Sequence, residues 1–210
     1  PKLLCDIYAT PFTSLLIKEK FREKKIDLGN KLKIVELNGN ISLGPFKIEF
    51  VTLTHSILEP NGLSISTPSG TVLHTGDWKI DPNPLIGEKI NEKKLKAIGD
   101  KGILAMICDS TNVFVPGRAG SESDVRDNLL KIMQNISKRI IVTSFASNVA
   151  RMESIFYCAK KTGRDISLVG RSMHRIYNAA KQCGYLKNLI KPIDSREAKN
   201  LERKKILYLC

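Results

Sequence analysis

The chain has 210 residues, 42% hydrophobic and 26% charged, which is the composition of an ordinary soluble protein with enough length for one large or two small domains. No apolar run approaches the roughly 20 residues needed to span a bilayer, and no signal-peptide pattern opens the sequence, so a membrane-embedded or exported class is not expected. The net charge of +13 is uneven: residues 1–120 hold 16 Lys and Arg against 13 Asp and Glu, and residues 121–210 hold 18 against 8, so the second half suits a polyanion such as RNA or, equally, a lysine-rich solvated surface.

The first half reads as β-rich. A helix over Pro11–Lys25 precedes strands at Lys33–Leu37, Phe46–Thr54, Gly62–Ser66 and Thr71–Gly76. In the second of these, Phe46, Ile48, Phe50 and Thr52 alternate with their neighbours at the period of a strand. Pro68-Ser69-Gly70 is a turn signal, so Gly62–Gly76 is expected to be a hairpin. A short helix is placed near Asn91–Gly99. Gly102–Cys108 is a continuous apolar run, which predicts a buried strand. Pro116, Gly117 and Gly120 mark a boundary within Val113–Ser121, dividing the chain into domains of residues 1–115 and 116–210.

Beyond that boundary the rhythm changes. Val125, Leu129, Ile132 and Ile136 recur at helical spacing over Ser121–Ile136, and Ser121-x-x-Asp124 has the form of a capping signal. Strands at Arg139–Phe145, Ile166–Val169 and Lys205–Leu209 alternate with helices at Ser147–Thr162 and Ser172–Cys183. Strand, helix, strand, helix, strand predicts right-handed crossovers and a parallel sheet, so the fold class is α/β. The five cysteines (Cys5, Cys108, Cys158, Cys183, Cys210) have no CxxC spacing and read as buried free thiols of a reducing, cytoplasmic protein rather than as zinc ligands.

Three polar residues follow strands directly. His55 follows Phe46–Thr54, Asp77 follows Thr71–Gly76, and Asp109 follows Gly102–Cys108. Such exits can converge at one sheet edge, where imidazole and carboxylate are suitable ligands for Zn²⁺ or Mn²⁺. They are also common turn and cap residues. His74 is either a support for Asp77 or a partly buried histidine with a satisfied hydrogen bond. In the second half, Ser144, Ser147 and Asn148 sit at one strand-to-helix junction, and Arg171 and Ser172 at another. Free N–H groups at helix starts would suit phosphate oxygens, while Ser147 and Ser172 also read as ordinary N-caps. The two junctions are expected on adjacent strands.

Several strings together carry a resemblance. They are Ile7-Tyr8-Ala9-Thr10-Pro11-Phe12-Thr13, Thr54-His55-Ser56-Ile57, Asn61-Gly62-Leu63, His74-Thr75-Gly76-Asp77-Trp78-Lys79-Ile80-Asp81-Pro82, Cys108-Asp109-Ser110-Thr111-Asn112, Phe145-Ala146-Ser147-Asn148-Val149-Ala150-Arg151 and Gly170-Arg171-Ser172-Met173. In that order they resemble bacterial ribonuclease J, a nuclease with a metallo-β-lactamase fold into which a β-CASP domain is inserted. The resemblance implies part of an αββα sandwich followed by part of a parallel-sheet β-CASP domain. It implies that His55 and Asp77 are ligands of a site holding two divalent ions, Zn or Mn, with Asp77 bridging them. Asp109 matches the acidic residue of the first β-CASP motif, as a catalytic or site-supporting group. RNA is the implied partner and substrate, cut in 5′-to-3′ exonuclease and endonuclease modes, by a homo-oligomer in the complete enzyme. The sequence also departs from the family. No HxH occurs in it, the later β-CASP histidine motifs are absent, and Leu58 stands where the family has proline. The chain therefore looks like the middle of a larger enzyme, expected to be inactive by itself. The rival reading is a non-catalytic RNA-binding or interaction module, and a third is a small-molecule hydrolase of the same superfamily.

Overall fold

The computed structural model of the protein describes residues 5–210. It forms two compact units. One takes in the chain up to His55 together with Glu59–Asp81 and Glu88–Ala119, and the other takes in Ser56–Leu58, Pro82–Gly87 and Gly120–Cys210. A single division at residue 115 does not describe this grouping, because two short earlier segments belong with the later residues.

In the first unit, strands β1 (Ile7–Ala9) and β2 (Leu32–Ile34) pair in parallel, joined through helix α1 (Pro11–Glu23). Pro11 stands at the first helical position, where its missing N–H costs nothing, and Phe12 behind it is fully buried. A five-stranded sheet follows. Strands β3 (Asn40–Leu43), β4 (Phe46–Thr52), β5 (Asn61–Thr67) and β6 (Gly70–His74) are an antiparallel meander, and β7 (Ala105–Ile107) adds in parallel to β6 after helix α2 (Glu92–Asp100). The β5–β6 hairpin reverses at Pro68-Ser69, where the turn signal placed it. Gly70 is required there: its φ is +141°, and a Cβ would lie 3.1 Å from the Leu104 side chain.

Two expectations for this unit fail. The alternation along β4 does not become an alternation of burial, because Phe50, Val51 and Thr52 at its end are all buried. That end of the strand is covered on both faces, so a period-2 pattern loses its meaning. The apolar run Gly102–Cys108 yields only the three-residue β7, and all three of its residues are exposed, Met106 by 60% and Ile107 by 56%. Among the described residues β7 pairs only with β6, as an edge strand, and apolar composition does not reveal how many neighbours a strand has.

The second unit contains helices α3 (Glu122–Gln134), α4 (Val149–Lys161), α5 (Arg171–Gln182) and the short α6 (Ser195–Ala198), with strands β8 (Ile140–Val142), β9 (Asp165–Leu168) and β10 (Ile206–Leu209). The sheet order is β8-β10-β9 and every pairing is parallel. The connections need helices because parallel neighbours cannot be joined by a tight turn. Met152, Ile155, Phe156, Ile166 and Leu207 are at most 1% exposed and fill the core, and the Phe156 ring stacks on Tyr177 of α5 with centroids 5.6 Å apart. Ile132, expected on the apolar face of α3, is 60% exposed, and its neighbour Met133 is buried instead. The five cysteines are free, but only Cys158 is buried.

The start of α3 is built as the sequence pattern suggests. Ser121 accepts from the Ser123 N–H, and the Asp124 carboxylate accepts from the Ser121 N–H at 3.1 Å, closing a capping box. The next residue, Glu122, is almost fully buried and takes two hydrogen bonds from Arg151 of α4, at 2.6 and 3.3 Å. A bidentate pair of this kind is worth little as a gain but costs much to break, because the remaining charge stays out of water. Arg151 keeps 31% of its side chain exposed, which softens that cost. Glu122→Ala is expected to lower unfolding free energy by about 2–3 kcal/mol, near the lower end for a broken buried pair, as read by urea denaturation. An unchanged midpoint would show that solvent replaces the pair without penalty.

Candidate functional site

Strand direction assembles the site in the first unit. β4 and β6 each run antiparallel to β5, so they share a direction, and β7 runs parallel to β6. The C-terminal ends of β4, β6 and β7 therefore open at the same sheet edge. His55 lies just past β4, Asp77 just past β6 and Asp109 just past β7.

Backbone hydrogen bonds and two threonines hold these exits. Thr54 is buried and bridges to Lys79: it accepts from the Lys79 N–H at 2.9 Å, its hydroxyl donates to the Lys79 carbonyl at 2.5 Å, and that hydroxyl accepts from the Asp81 N–H at 3.2 Å. The residues that follow Asp77 are thereby tied to the residue before His55. Thr75, also buried, donates to the Gly76 carbonyl at 2.8 Å and accepts from the Asp109 N–H at 3.1 Å, which ties the third exit to the second. Gly76 turns with a φ of +61°, and a Cβ there would lie 3.2 Å from the Asn61 carbonyl oxygen. Sequence reasoning passed over these threonines because hydroxyls in loops carry no periodic signal. The available clue was their position, directly before His55 and before Gly76-Asp77.

The Asp109 carboxylate is held below its ordinary pKa of 3.8. The Thr111 hydroxyl is the main cause, followed by the Thr111 N–H, at 2.5 and 2.9 Å, and the nearby His55 imidazole and the Trp78 N–H act in the same sense. One anionic group thus feels all three exits: its own, that of His55, and Trp78 beside Asp77. Asp77 is exposed and its side chain bonds to no other described residue. His55 is half-buried. His74 is exposed rather than partly buried, and its Nδ1 accepts from the Gly76 N–H at 3.0 Å, so it braces the turn that leads into Asp77. Among the described residues, no three His, Cys, Asp or Glu side chains gather closely enough to hold a metal ion.

The second-unit candidates stand differently from expectation. Their junctions are not on adjacent strands, because β10 lies between β8 and β9. Two strand spacings, about 9.5 Å, separate them at the sheet. Asn148 rather than Ser147 caps α4: its side chain accepts from the Arg151 N–H at 2.9 Å. Gly170, with a φ of +101°, occupies the cap of α5, so Ser172 is not an N-cap, and its hydroxyl accepts from Arg175 at 3.4 Å. The Ser144 hydroxyl turns to the next carbonyl, at 3.4 Å. Ser147 and Arg171 are exposed and bond to no other described side chain.

Comparison with known proteins gives a consistent result. Residues 137–210 match the family described as ribonuclease J, beta-CASP domain. The chain is 39% identical to ribonuclease J of Sinorhizobium meliloti over 192 residues, covering 91% of this chain and 34% of that protein. With ribonuclease J 1 of Streptococcus pyogenes the identity is 38% over 211 residues, covering 97% and 36%. With ribonuclease J of Synechocystis it is 37% over 207 residues, covering 97% and 32%. A crystal structure of a protein of unknown function from Enterococcus faecalis superposes with a TM-score of 0.65 at 16% identity, over 98% of this chain and 53% of that one, which speaks to fold alone. The chain spans about a third of the length of these curated relatives. Identity of this order over nearly all of its residues, with the β-CASP match over residues 137–210, makes the chain similar along its length to a piece of ribonuclease J.

Proposed function

We propose that the chain carries part of the metal centre and part of the RNA-holding surface of a metal-dependent ribonuclease acting in RNA processing and decay. On this reading the first unit belongs to a metallo-β-lactamase sandwich, and the whole enzyme is a cytoplasmic homo-oligomer. The observation that carries the reading is the shared edge at which His55, Asp77 and Asp109 leave three strands of like direction.

The donor types suit Zn²⁺ or Mn²⁺: an imidazole from His55 and, from Asp77, a carboxylate that bonds to no other described residue. The number does not. A catalytic zinc usually takes three protein ligands, so two residues do not hold two ions. The described residues alone therefore do not fit a complete dinuclear centre, and the isolated chain is inactive or nearly so. Asp109 and His74 support the site rather than ligate, since Asp109 is occupied by Thr111 and His74 by the Gly76 N–H. Ser144, Ser147, Asn148, Arg171 and Ser172 are candidate phosphate contacts, of which Arg171 and Ser147 have the freest side chains. A second reading, a non-catalytic RNA-binding module, is favoured by the net +10 of residues 121–210.

The 210-residue chain given Mn²⁺ or Zn²⁺ is expected to leave 5′-monophosphorylated RNA uncut. Turnover that His55→Ala abolishes would overturn the inactivity and keep the ligand assignment. Binding to single-stranded RNA is expected to weaken steeply with salt, the slope of log K against log salt being about −0.7 for each phosphate neutralised. A flat salt response would exclude the second unit as an RNA-holding surface. The depressed Asp109 pKa gives a third measurement. A carboxyl lowered by folding contributes stability that is present above 3.8 and lost as pH falls through the lowered value. Thr111→Val removes the main donor and is expected to raise the Asp109 midpoint toward 3.8, read by carboxyl carbon NMR titration.

A further inference from the structure

Glu59 has three properties that rarely occur together. It is a charged residue only 8% exposed. Its φ is +55°, in the left-handed region that side chains other than Gly, Asn and Asp seldom adopt. And its carboxylate accepts the Phe12 N–H at 2.8 Å, across 47 residues of sequence. Strain and burial both count against this arrangement, so something must hold it in place.

The partner explains what it does. Phe12 is in the first turn of α1, where N–H groups have no partner within the helix. Thr10 occupies the cap position without making a side-chain cap bond, and the first turn contains no acidic residue. Glu59 therefore supplies from a distance the anion that α1 lacks locally. Its own backbone is fixed too: the Asn61 side-chain Nδ2 donates to the Glu59 carbonyl at 2.5 Å, and the Leu53 N–H donates to the Pro60 carbonyl at 3.0 Å, closing the base of the loop that begins with Thr54 and His55.

We propose that Glu59 is a positioning residue for His55. It fastens the far end of the His55 loop to the N-terminus of α1, so that the imidazole is presented at the sheet edge in one orientation. This rests on the reading of His55 as a metal ligand, and the test separates the two. Glu59→Gly removes the carboxylate while relieving the backbone strain, and Glu59→Gln keeps an acceptor without the charge. Amide exchange measured by NMR on the 210-residue chain reports the anchor. In Glu59→Gly the Phe12 and Leu53 amides are expected to exchange at least about tenfold faster, with Ile166 and Leu207 unchanged, and Glu59→Gln should fall between. Titrated Mn²⁺ reports the presentation of the imidazole. Relative to Asp77, paramagnetic broadening at His55 is expected to fall in Glu59→Gly. Two results overturn the proposal: Glu59→Gly leaving Phe12 and Leu53 exchange unchanged, which makes Glu59 a turn residue only, or exchange rising equally at Ile166 and Leu207, which makes it a contributor to overall stability. If Mn²⁺ broadens neither His55 nor Asp77 in the unaltered chain, the metal reading fails, and exchange at Phe12 and Leu53 still decides the anchor.

Discussion

Two reversals of direction within one hydrogen-bonded ladder govern the first unit. Because β5 turns the chain back and β6 turns it forward again, residues separated by 22 positions, His55 and Asp77, leave the sheet at the same edge. A parallel β7 brings Asp109 there as well. No side-chain contact creates this juxtaposition. It follows from strand order, and the threonine hydroxyls at positions 54 and 75 only trim the exits to fit one another. A one-residue slip between β4 and β5 would turn every side chain of one strand to the opposite face, so register and site stand or fall together.

The second unit depends on polar groups placed where water is scarce. Between α3 and α4, Glu122 meets Arg151, and Arg126 meets Glu153 while lying 4.8 Å over the Tyr157 ring. Burial lowers the pKa of the Arg126 guanidinium and raises that of the Cys158 thiol above its ordinary 9.0. Both shifts have the same physical origin, because each penalises the charged form of its group in a poorly solvated place. The consequence for Cys158 is an unreactive thiol, held as a small apolar side chain whose sulfur lies 3.6 Å from the Arg126 carbonyl oxygen.

What the sequence discloses about this fold is local chemistry. The β5–β6 hairpin was legible because Pro68-Ser69-Gly70 admits few backbone conformations. The start of α3 was legible because Ser121 and Asp124 satisfy each other's backbone groups within four residues. β1 and β3, of three and four residues, were not. Pairing was not legible either. The apolar run of β7 looks the same with one neighbour as with two, and nothing local in β8 or β9 announces that β10 separates them. At the candidate site, residue types and their positions after strands were visible for His55, Asp77 and Asp109. The role of Glu59 was not, because its partner Phe12 is 47 residues away and its importance lies in a backbone angle.

The place of β10 has a consequence for how this unit comes together. It is the last strand in order but the middle one in space, and Cys210 behind it bonds to Val142 from 68 residues away. Among the described residues β8 and β9 share no ladder of their own, and β10 is the strand that joins them. Helices α4 and α5 rest on local contacts, whereas the sheet rests on pairings distant in sequence, which have a larger loop-closure cost. The pairings that close this sheet therefore also cover the facing edges of β8 and β9, so the same ladder that builds the unit removes open strand edges from it.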